Sequence, residues 1–220
     1  MEKSEIISIY KKGGASGIPI RRDDGSEIGE LKAVDNRMAE EEEVLRLLTS
    51  WRQKFMRYFL TQFKATIART STWLEEIVLK EDSRILFLIL DEKGRPIGNF
   101  GVCNINEKSA ELDNLIRGEK GGDVRLVYFS ELALINWLFC SFDLDNIYLH
   151  IFSNNRRTLS LHETVGFKTE EVYRITKKIS DERVEYVVDR EKGPLSDEPA
   201  LVKMSISRKS FFARYNWLEG

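Results

Sequence analysis

Three apolar-rich runs, Arg84 to Leu90, Arg95 to Ile105 and Ser109 to Ile116, are separated only by the turn segments Asp91-Glu92-Lys93-Gly94 and Asn106 to Lys108. Connections this short join antiparallel neighbours, so the stretch is constrained to a three-stranded meander. After Arg117 to Gly122, a helical pattern carried by Leu126, Phe129, Ser130, Ala133, Ile135, Trp137, Leu138 and Cys140 runs to about Phe142, and Asn146 to Phe152 is again a strand. Strand, glycine turn, helix and strand make a β-α-β unit, in which the strands at 109–116 and 146–152 are parallel and joined right-handedly. The expected fold class is α/β, of mixed α+β type: a central mixed sheet, meander first and β-α-β unit second, flanked by helices.

Residues 1–35 read as an N-terminal β extension, with extended runs at Ile6 to Tyr10, Gly17 to Arg22 and Glu27 to Val34 and a hairpin signal at Asp24-Gly25. The glycine-rich Lys11 to Gly17 lacks phosphate-loop spacing and reads as a connector. Residues 36–220 form the second unit. It opens on a helix with Glu40 to Glu43 in its first turn and Val44, Leu47, Leu48, Trp51 and Phe55 at helical spacing. Met56 to Thr70 reads as a loop with helical turns. Thr72-Trp73-Leu74-Glu75 has capping-box spacing and opens a second helix to about Lys80, with Trp73, Ile77 and Leu74 inward. Beyond the β-α-β unit come a short helix from Asn155 to Thr164, stopped at Gly166, then a hairpin of Glu171 to Ile179 and Arg183 to Asp189. A linker at Gly193 to Pro199, a strand at Leu201 to Ile206 and a helix over Ser207 to Trp217 follow.

Lys and Arg number 34 against 36 Asp and Glu, a net charge of -2, which supplies no global pull toward nucleic acid or anionic lipid. The longest apolar stretches, Ile85 to Leu90 and Leu132 to Cys140, fall short of the roughly 20 residues that cross a bilayer, so no membrane partner is expected. The acidic start Met1-Glu2-Lys3-Ser4-Glu5 is unlike a secretory signal, and a cytoplasmic protein is expected. Cys103 and Cys140 lack metal-site spacing and, with only 2 His in the chain, argue against zinc; no metal is expected, and both cysteines read as small core residues.

The junction Arg117-Gly118-Glu119-Lys120-Gly121-Gly122, where strand gives way to helix, is a candidate anion site, because helix-start N–H groups and the helix dipole favour negative charge. Arg117 and Lys120 would add charge-assisted contacts; alternatively Gly121 and Gly122 simply permit a tight turn. The segment Asn155-Arg156-Arg157-Thr158-Leu159-Ser160-Leu161-His162-Glu163-Thr164-Val165-Gly166-Phe167 resembles the N-x-x-[AS]-x-x-L-[YH]-x-x-x-G-F signature of the GNAT superfamily of acetyl-CoA-dependent N-acetyltransferases. Asn155, Leu161, Gly166 and Phe167 match outright, and Thr158 replaces a small residue. The junction resembles that superfamily's R-x-x-G-x-G/A pyrophosphate loop, with Lys120 where the first glycine is expected. Either the turn is non-standard, or the register is Arg117-Gly118 followed by Lys120-Gly121.

The resemblance spans about Val44 to Phe167 and implies a GNAT-like fold in which the two central parallel strands splay apart. It implies acetyl-CoA as co-substrate, with the backbone of Leu115 and Ile116 pairing with its pantetheine arm. Arg117, Gly118, Lys120, Gly121, Gly122, Asn155 and Thr158 fall on the cofactor side. His162 stands where the family protonates the departing thiolate; a packed, hydrogen-bonded histidine is the structural alternative. A central strand covered on both faces should be almost continuously apolar, yet Glu111, Asp113 and Asn114 interrupt this one. Alternation puts Glu111, Asp113, Leu115 and Arg117 on one face and Leu112, Asn114 and Ile116 on the other. Asp113 is preferred over Glu111 as the base, with an ion pair or an amine anchor equally open, and Asn114 joins the acceptor side. Trp51-Arg52 followed by Trp73-Leu74 resembles the W-R...W-L pattern of the branch that includes pseudaminic-acid-pathway amino-sugar acetyltransferases and related ribosomal-protein acetyltransferases, which adds Arg52 as a substrate contact.

The expectation is an acetyl-CoA-dependent N-acetyltransferase acting on a small-molecule amine, such as a nucleotide-linked amino sugar. A protein N-terminal acetyltransferase and a non-catalytic acyl-CoA sensor remain alternatives. The segments outside the family core either close the acceptor side or mediate a homodimer.

Overall fold

A computed structural model describes residues 2–192 and 199–218, with 190–192 described as backbone only. The elements run α1 (Lys3–Lys11), β1 (Ile18–Arg21), β2 (Glu27–Ala33), α2 (Glu42–Lys54), β3 (Thr61–Phe63), α3 (Ile67–Trp73), β4 (Ile85–Asp91), β5 (Pro96–Cys103) and β6 (Ser109–Arg117). They continue α4 (Leu126–Ser141), β7 (Asn146–Phe152), α5 (Arg156–Val165), β8 (Lys168–Ile179), β9 (Arg183–Lys192), β10 (Leu201–Ser207) and α6 (Arg208–Arg214). All strands join one sheet in the order β1-β2-β4-β5-β6-β7-β10-β8-β9-β3. β6 and β7 are parallel and the other pairs antiparallel, so the meander and the β-α-β unit lie where the sequence puts them.

β4 is buried along its whole length because both faces are covered. Ile85, Phe87 and Ile89 join a core with Ile7 of α1, Phe129 and Leu138 of α4 and Phe211 of α6. Leu86, Leu88 and Leu90 join a second core with Val44, Leu48 and Trp51 of α2 and with Leu74 and Val78. The sheet is thus sandwiched between α2 and α3 on one face and the remaining helices on the other. Among the described residues no helix is long and apolar enough to cross a membrane.

Four expectations need correction. Ile6 to Tyr10 is helical, not extended: Glu2 and Glu5 form a reciprocal capping box, Ile7 is buried, and Lys11 directs its ammonium to the carbonyls of Leu79 and Glu81. The second helix of the α2 face starts earlier than Thr72, because Thr66 caps it by accepting the Arg69 N–H at 3.2 Å. It then loosens into a π-helical turn over Leu74–Val78, whose extra residue per turn shifts the phase, burying Leu74 and Val78 and leaving Ile77 exposed. Cys140 is exposed on α4, while Cys103 is buried as expected. Thr61–Phe63, within the expected loop, pairs with β9. Of the expected linker, Gly193 to Asp197 and Glu198 lie outside the described residues.

Removing the Thr66 cap tests the early helix start. Thr66→Ala is expected to cost about 1 kcal/mol, read as a fall in Tm of about 2–4 °C; the same change at Thr72 is expected to leave Tm nearly unchanged.

Candidate active site

β6 and β7 pair in parallel from Ser109 opposite Asn146 to Leu112 opposite Leu149. Beyond these rungs β6 runs on to Arg117 and β7 to Phe152 with no further pairing between them among the described residues. The parting begins at a bulge: on β5, Gly101 faces Asp113 and Asn99 faces Ile116, so two β6 residues are fitted opposite Phe100, and Asn114 takes a φ of 52°. Asn99 Nδ2 braces it by donating to the Asn114 carbonyl at 2.5 Å. The bulge also reverses the facing of the strand. Leu112 lies in the α4-side core and Ile116 in the α2-side core, so the strict alternation that put them on one face breaks at Asn114.

The gap opens into a continuous cavity of about 1940 Å³. Arg117, Gly118 and Lys120 line one end, Asn155, Thr158 and His162 the α5 side, and Leu115 and Ile116 the β6 edge. Arg52, Glu111, Asp113 and Asn114 line the other end. Gly121 and Gly122 instead shape the turn, with φ of 122° and 63°.

At the junction, the N–H groups of Gly118 and Glu119 both donate to the Ile97 carbonyl at 2.9 Å. Among the described residues, no acceptor takes the N–H groups of Lys120, Gly121, Gly122 or Val124. The Arg117 guanidinium folds back onto the Gly121 carbonyl at 2.7 Å, so it braces the turn. Gly118 is required by a close approach: a Cβ there would lie 2.2 Å from the Trp51 indole. Trp51 Nε1 donates to Glu119 at 2.9 Å and Lys54 Nζ to the Gly118 carbonyl at 3.1 Å, so α2 fixes the loop from below. Asn155 precedes α5 without a side-chain capping bond, which leaves its amide uncommitted.

His162 is held on α5 one turn before the Gly166 stop, which has a φ of 114°. Its Nδ1 lies 2.6 Å from Glu131 Oε1 of α4, with side-chain exposures of 5% and 0%. With Nδ1 engaged, Nε2 is the ring nitrogen that can exchange a proton in the cavity. Glu131 was not singled out by sequence, since it sits within an otherwise apolar helix; its Oε2 has no partner.

At the far end Arg84 Nη1 lies 2.6 Å from Asp113 Oδ2, which also accepts Asn114 Nδ2 at 2.8 Å. The ion-pair alternative for Asp113 is therefore the one the geometry adopts. Burial pushes the Asp113 carboxyl above its ordinary range, against the pull of Arg84. Glu111 Oε1 lies 2.7 Å from His150 Nδ1 on β7, and Oε2 accepts Asn104 Nδ2 at 2.6 Å. Burial works against the charge on Glu111, but these contacts hold its carboxyl below the usual range. Sequence reasoning passed over His150; its only signal was a polar ring alternating with Ile147, Leu149 and Ile151, on the face opposite the α4-side core.

Arg52 is the electrostatic exception. Its Nη2 donates to the Thr61 carbonyl at 3.1 Å, its guanidinium stacks 3.4 Å over the Phe59 ring, and its buried Nε has no partner. No carboxylate pairs with it among the described residues, and burial lowers it to about 10, with the charge of Asp113 in opposition.

The family model described as acetyltransferase (GNAT) domain matches residues 36–168. No curated protein sequence matches the chain. The fold is similar to apo FdhC, described as a nucleotide-linked sugar GNAT, with TM-score 0.62 and 14% identity over 93% of this chain and 98% of that one. It is also similar to a probable acetyltransferase from Chromobacterium violaceum, with TM-score 0.64 and 14% identity over 90% and 89% of the two chains. A spermidine N-acetyltransferase from Vibrio cholerae, solved with CoA and spermine, gives TM-score 0.58 and 18% identity over 83% and 96%. With the match covering more than half of the sequence, this chain belongs to the GNAT acetyltransferase family.

Proposed function

We propose that the protein transfers acetyl from acetyl-CoA directly to a primary amine on a small molecule that also carries an anionic group, an amino sugar linked to a nucleotide through its diphosphate. The single observation that carries the acceptor class is Arg52. A desolvated guanidinium without a carboxylate partner among the described residues, stacked on an aromatic ring and lining the cavity, suits a phosphate or carboxylate on the bound molecule. It works against a polyamine, since the carboxylates at this end already hold Arg84 and His150.

Three features support acetyl-CoA as donor. Residues 114–116 of β6 present an edge not paired to β7, suited to a strand-like pantetheine arm. The N–H groups of Lys120 and Val124, residues that line the cavity, suit a diphosphate. The Asn155 amide is uncommitted on the α5 side of the same cavity. Acetyl-CoA supplies an activated thioester; the residues of this chain must hold it, free an amine lone pair, steady the oxyanion and return a proton to sulfur. Backbone N–H groups around the Asn114 bulge would steady the oxyanion. His162 Nε2 delivers the proton to the departing sulfur, and Glu131 fixes the ring nitrogen that does so.

Thermal-shift measurement with acetyl-CoA and CoA, followed by thiol release over a panel of amines, tests this reading. Turnover restricted to anionic amino sugars supports it. Best turnover on spermidine or on peptide N-termini overturns the acceptor class, and stabilisation without turnover on any amine leaves a sensor. Arg52→Gln is expected to raise KM for the anionic acceptor by about 10- to 100-fold, the loss of one charge-assisted contact of about 1.5–3 kcal/mol, with KM for acetyl-CoA unchanged.

A further inference from the structure

Both histidines of the chain line the same cavity, and each presents Nδ1 to a glutamate: His162 to Glu131 at 2.6 Å, His150 to Glu111 at 2.7 Å. They reach it from different elements. His162 stands on α5, and His150 stands on β7 one residue past Leu149, the last parallel rung, where the strands begin to part. We propose that His150 is the proton acceptor for the incoming amine, with Glu111 as its positioning residue. The proposal rests on the N-acetyltransferase reading above and assigns the base within it.

The carboxylates expected for this role are already occupied. Asp113 Oδ2 holds Arg84 and Asn114, and Oδ1 is buried, with the Cys103 thiol beside the carboxyl. Glu111 has one oxygen on His150 and the other on Asn104. His150 differs: Nδ1 is engaged, the side chain keeps 27% of its surface exposed, and Nε2 is left for the cavity. Imidazole is also the side chain whose charge ordinarily changes near neutral pH, which suits it to take a proton from an ammonium and pass it on.

The charged and titratable groups facing it come from every neighbouring element. Glu111 and Asp113 stand on β6, Tyr148 on β7 beside His150 at 5.7 Å between ring centroids, and Tyr173 on β8 at 6.3 Å. Lys203 is its register partner on β10, with its ammonium on Glu170 at 2.9 Å, and Arg84 is held by Asp113 and Glu81. Glu111 is therefore the only one of these in hydrogen-bond contact with the ring among the described residues, and it selects Nε2 as the working nitrogen.

In the reaction, His150 Nε2 takes one proton from the ammonium and later yields it to solvent. The freed nitrogen pair forms the C–N bond, the C–S bond breaks with its electrons on sulfur, and His162 protonates the sulfur. The second nitrogen proton is lost as the amide forms and recharges His162. Acetyl-CoA and an ammonium thus give the acetamide, free thiol and one proton.

The test is the pH dependence of kcat/KM for His150→Gln, Glu111→Gln and His162→Ala, each checked for stabilisation by acetyl-CoA. For His150→Gln a loss of about 10²- to 10⁴-fold at neutral pH is expected, shrinking as pH rises and the acceptor deprotonates unaided, with acetyl-CoA stabilisation retained. Glu111→Gln, which still offers an oxygen to Nδ1–H, is expected to lose less and to recover in the same direction, whereas the His162→Ala loss is not recovered at high pH. A wild-type pH profile for His150→Gln, or a loss equal at every pH, overturns the proposal. Absence of wild-type turnover on any amine would instead strike the transferase reading, and it is seen before any variant is made.

Discussion

Replacing His162 by alanine is expected to lower kcat by roughly 10²- to 10⁴-fold, measured as thiol release under saturating acetyl-CoA. The magnitude follows from the proposed role of His162 as proton donor to the departing sulfur, with Nδ1 anchored on Glu131 at 2.6 Å. The variant also leaves the fully buried Glu131 without the one partner it has among the described residues. Removing one member of a buried charged pair costs about 3–5 kcal/mol, so stability must be read beside rate. Pairing the change with Glu131→Leu removes the stranded carboxylate. The double variant is expected to regain stability and not kcat, which separates chemistry from folding; recovery of kcat would show that His162 served only to pack.

Trp51→Ala carries an equally large expected effect on stability. Trp51 is 0% exposed and packs among Leu48, Leu74 and Ile116, and it also presses on Gly118 and donates to Glu119. Emptying a buried aromatic site costs about 3–5 kcal/mol, and in a chain of this size that is a fall in Tm of roughly 6–20 °C. The change reaches function through the same contacts. Without the indole beneath it, the 117–122 turn loses its support, so affinity for acetyl-CoA is expected to fall along with Tm, measured by calorimetry below the transition. Unchanged affinity at lowered Tm would separate the loop from α2.

The meander, the β-α-β unit and α5 were legible because each rests on signals within a few residues: turn segments, an apolar run and a glycine stop. The position of the cavity was legible for the same reason, since the Asn155 to Phe167 segment and the 117–122 junction are local patterns. What the sequence left hidden depends on contacts between distant residues. α1 carries Ile6, Ile7, Ile9 and Tyr10, which favour strands, and it is helical through its capping box and the docking of Lys11 on Leu79 and Glu81. The bulge at Asn114 depends on Asn99 across the ladder, and it changed which face Ile116 covers. Asp113 stayed open between a base, an ion pair and an amine anchor because its partner Arg84 reaches it from the meander's start, 29 residues away. His150 and Glu131 acquire meaning only through partners 39 and 31 residues away, which no window of periodicity spans.

The position of β10 bears on how the molecule is made. Residues 201–207 lie between β7 and β8, bonded to both. During synthesis everything up to Lys192 can leave the ribosome while β7 and β8 still present naked edges toward each other, and each is a template for the wrong neighbour. The nascent chain must therefore keep that slit open until its later strand arrives, and any stall, nick or early stop before residue 201 releases a product with two sticky rims.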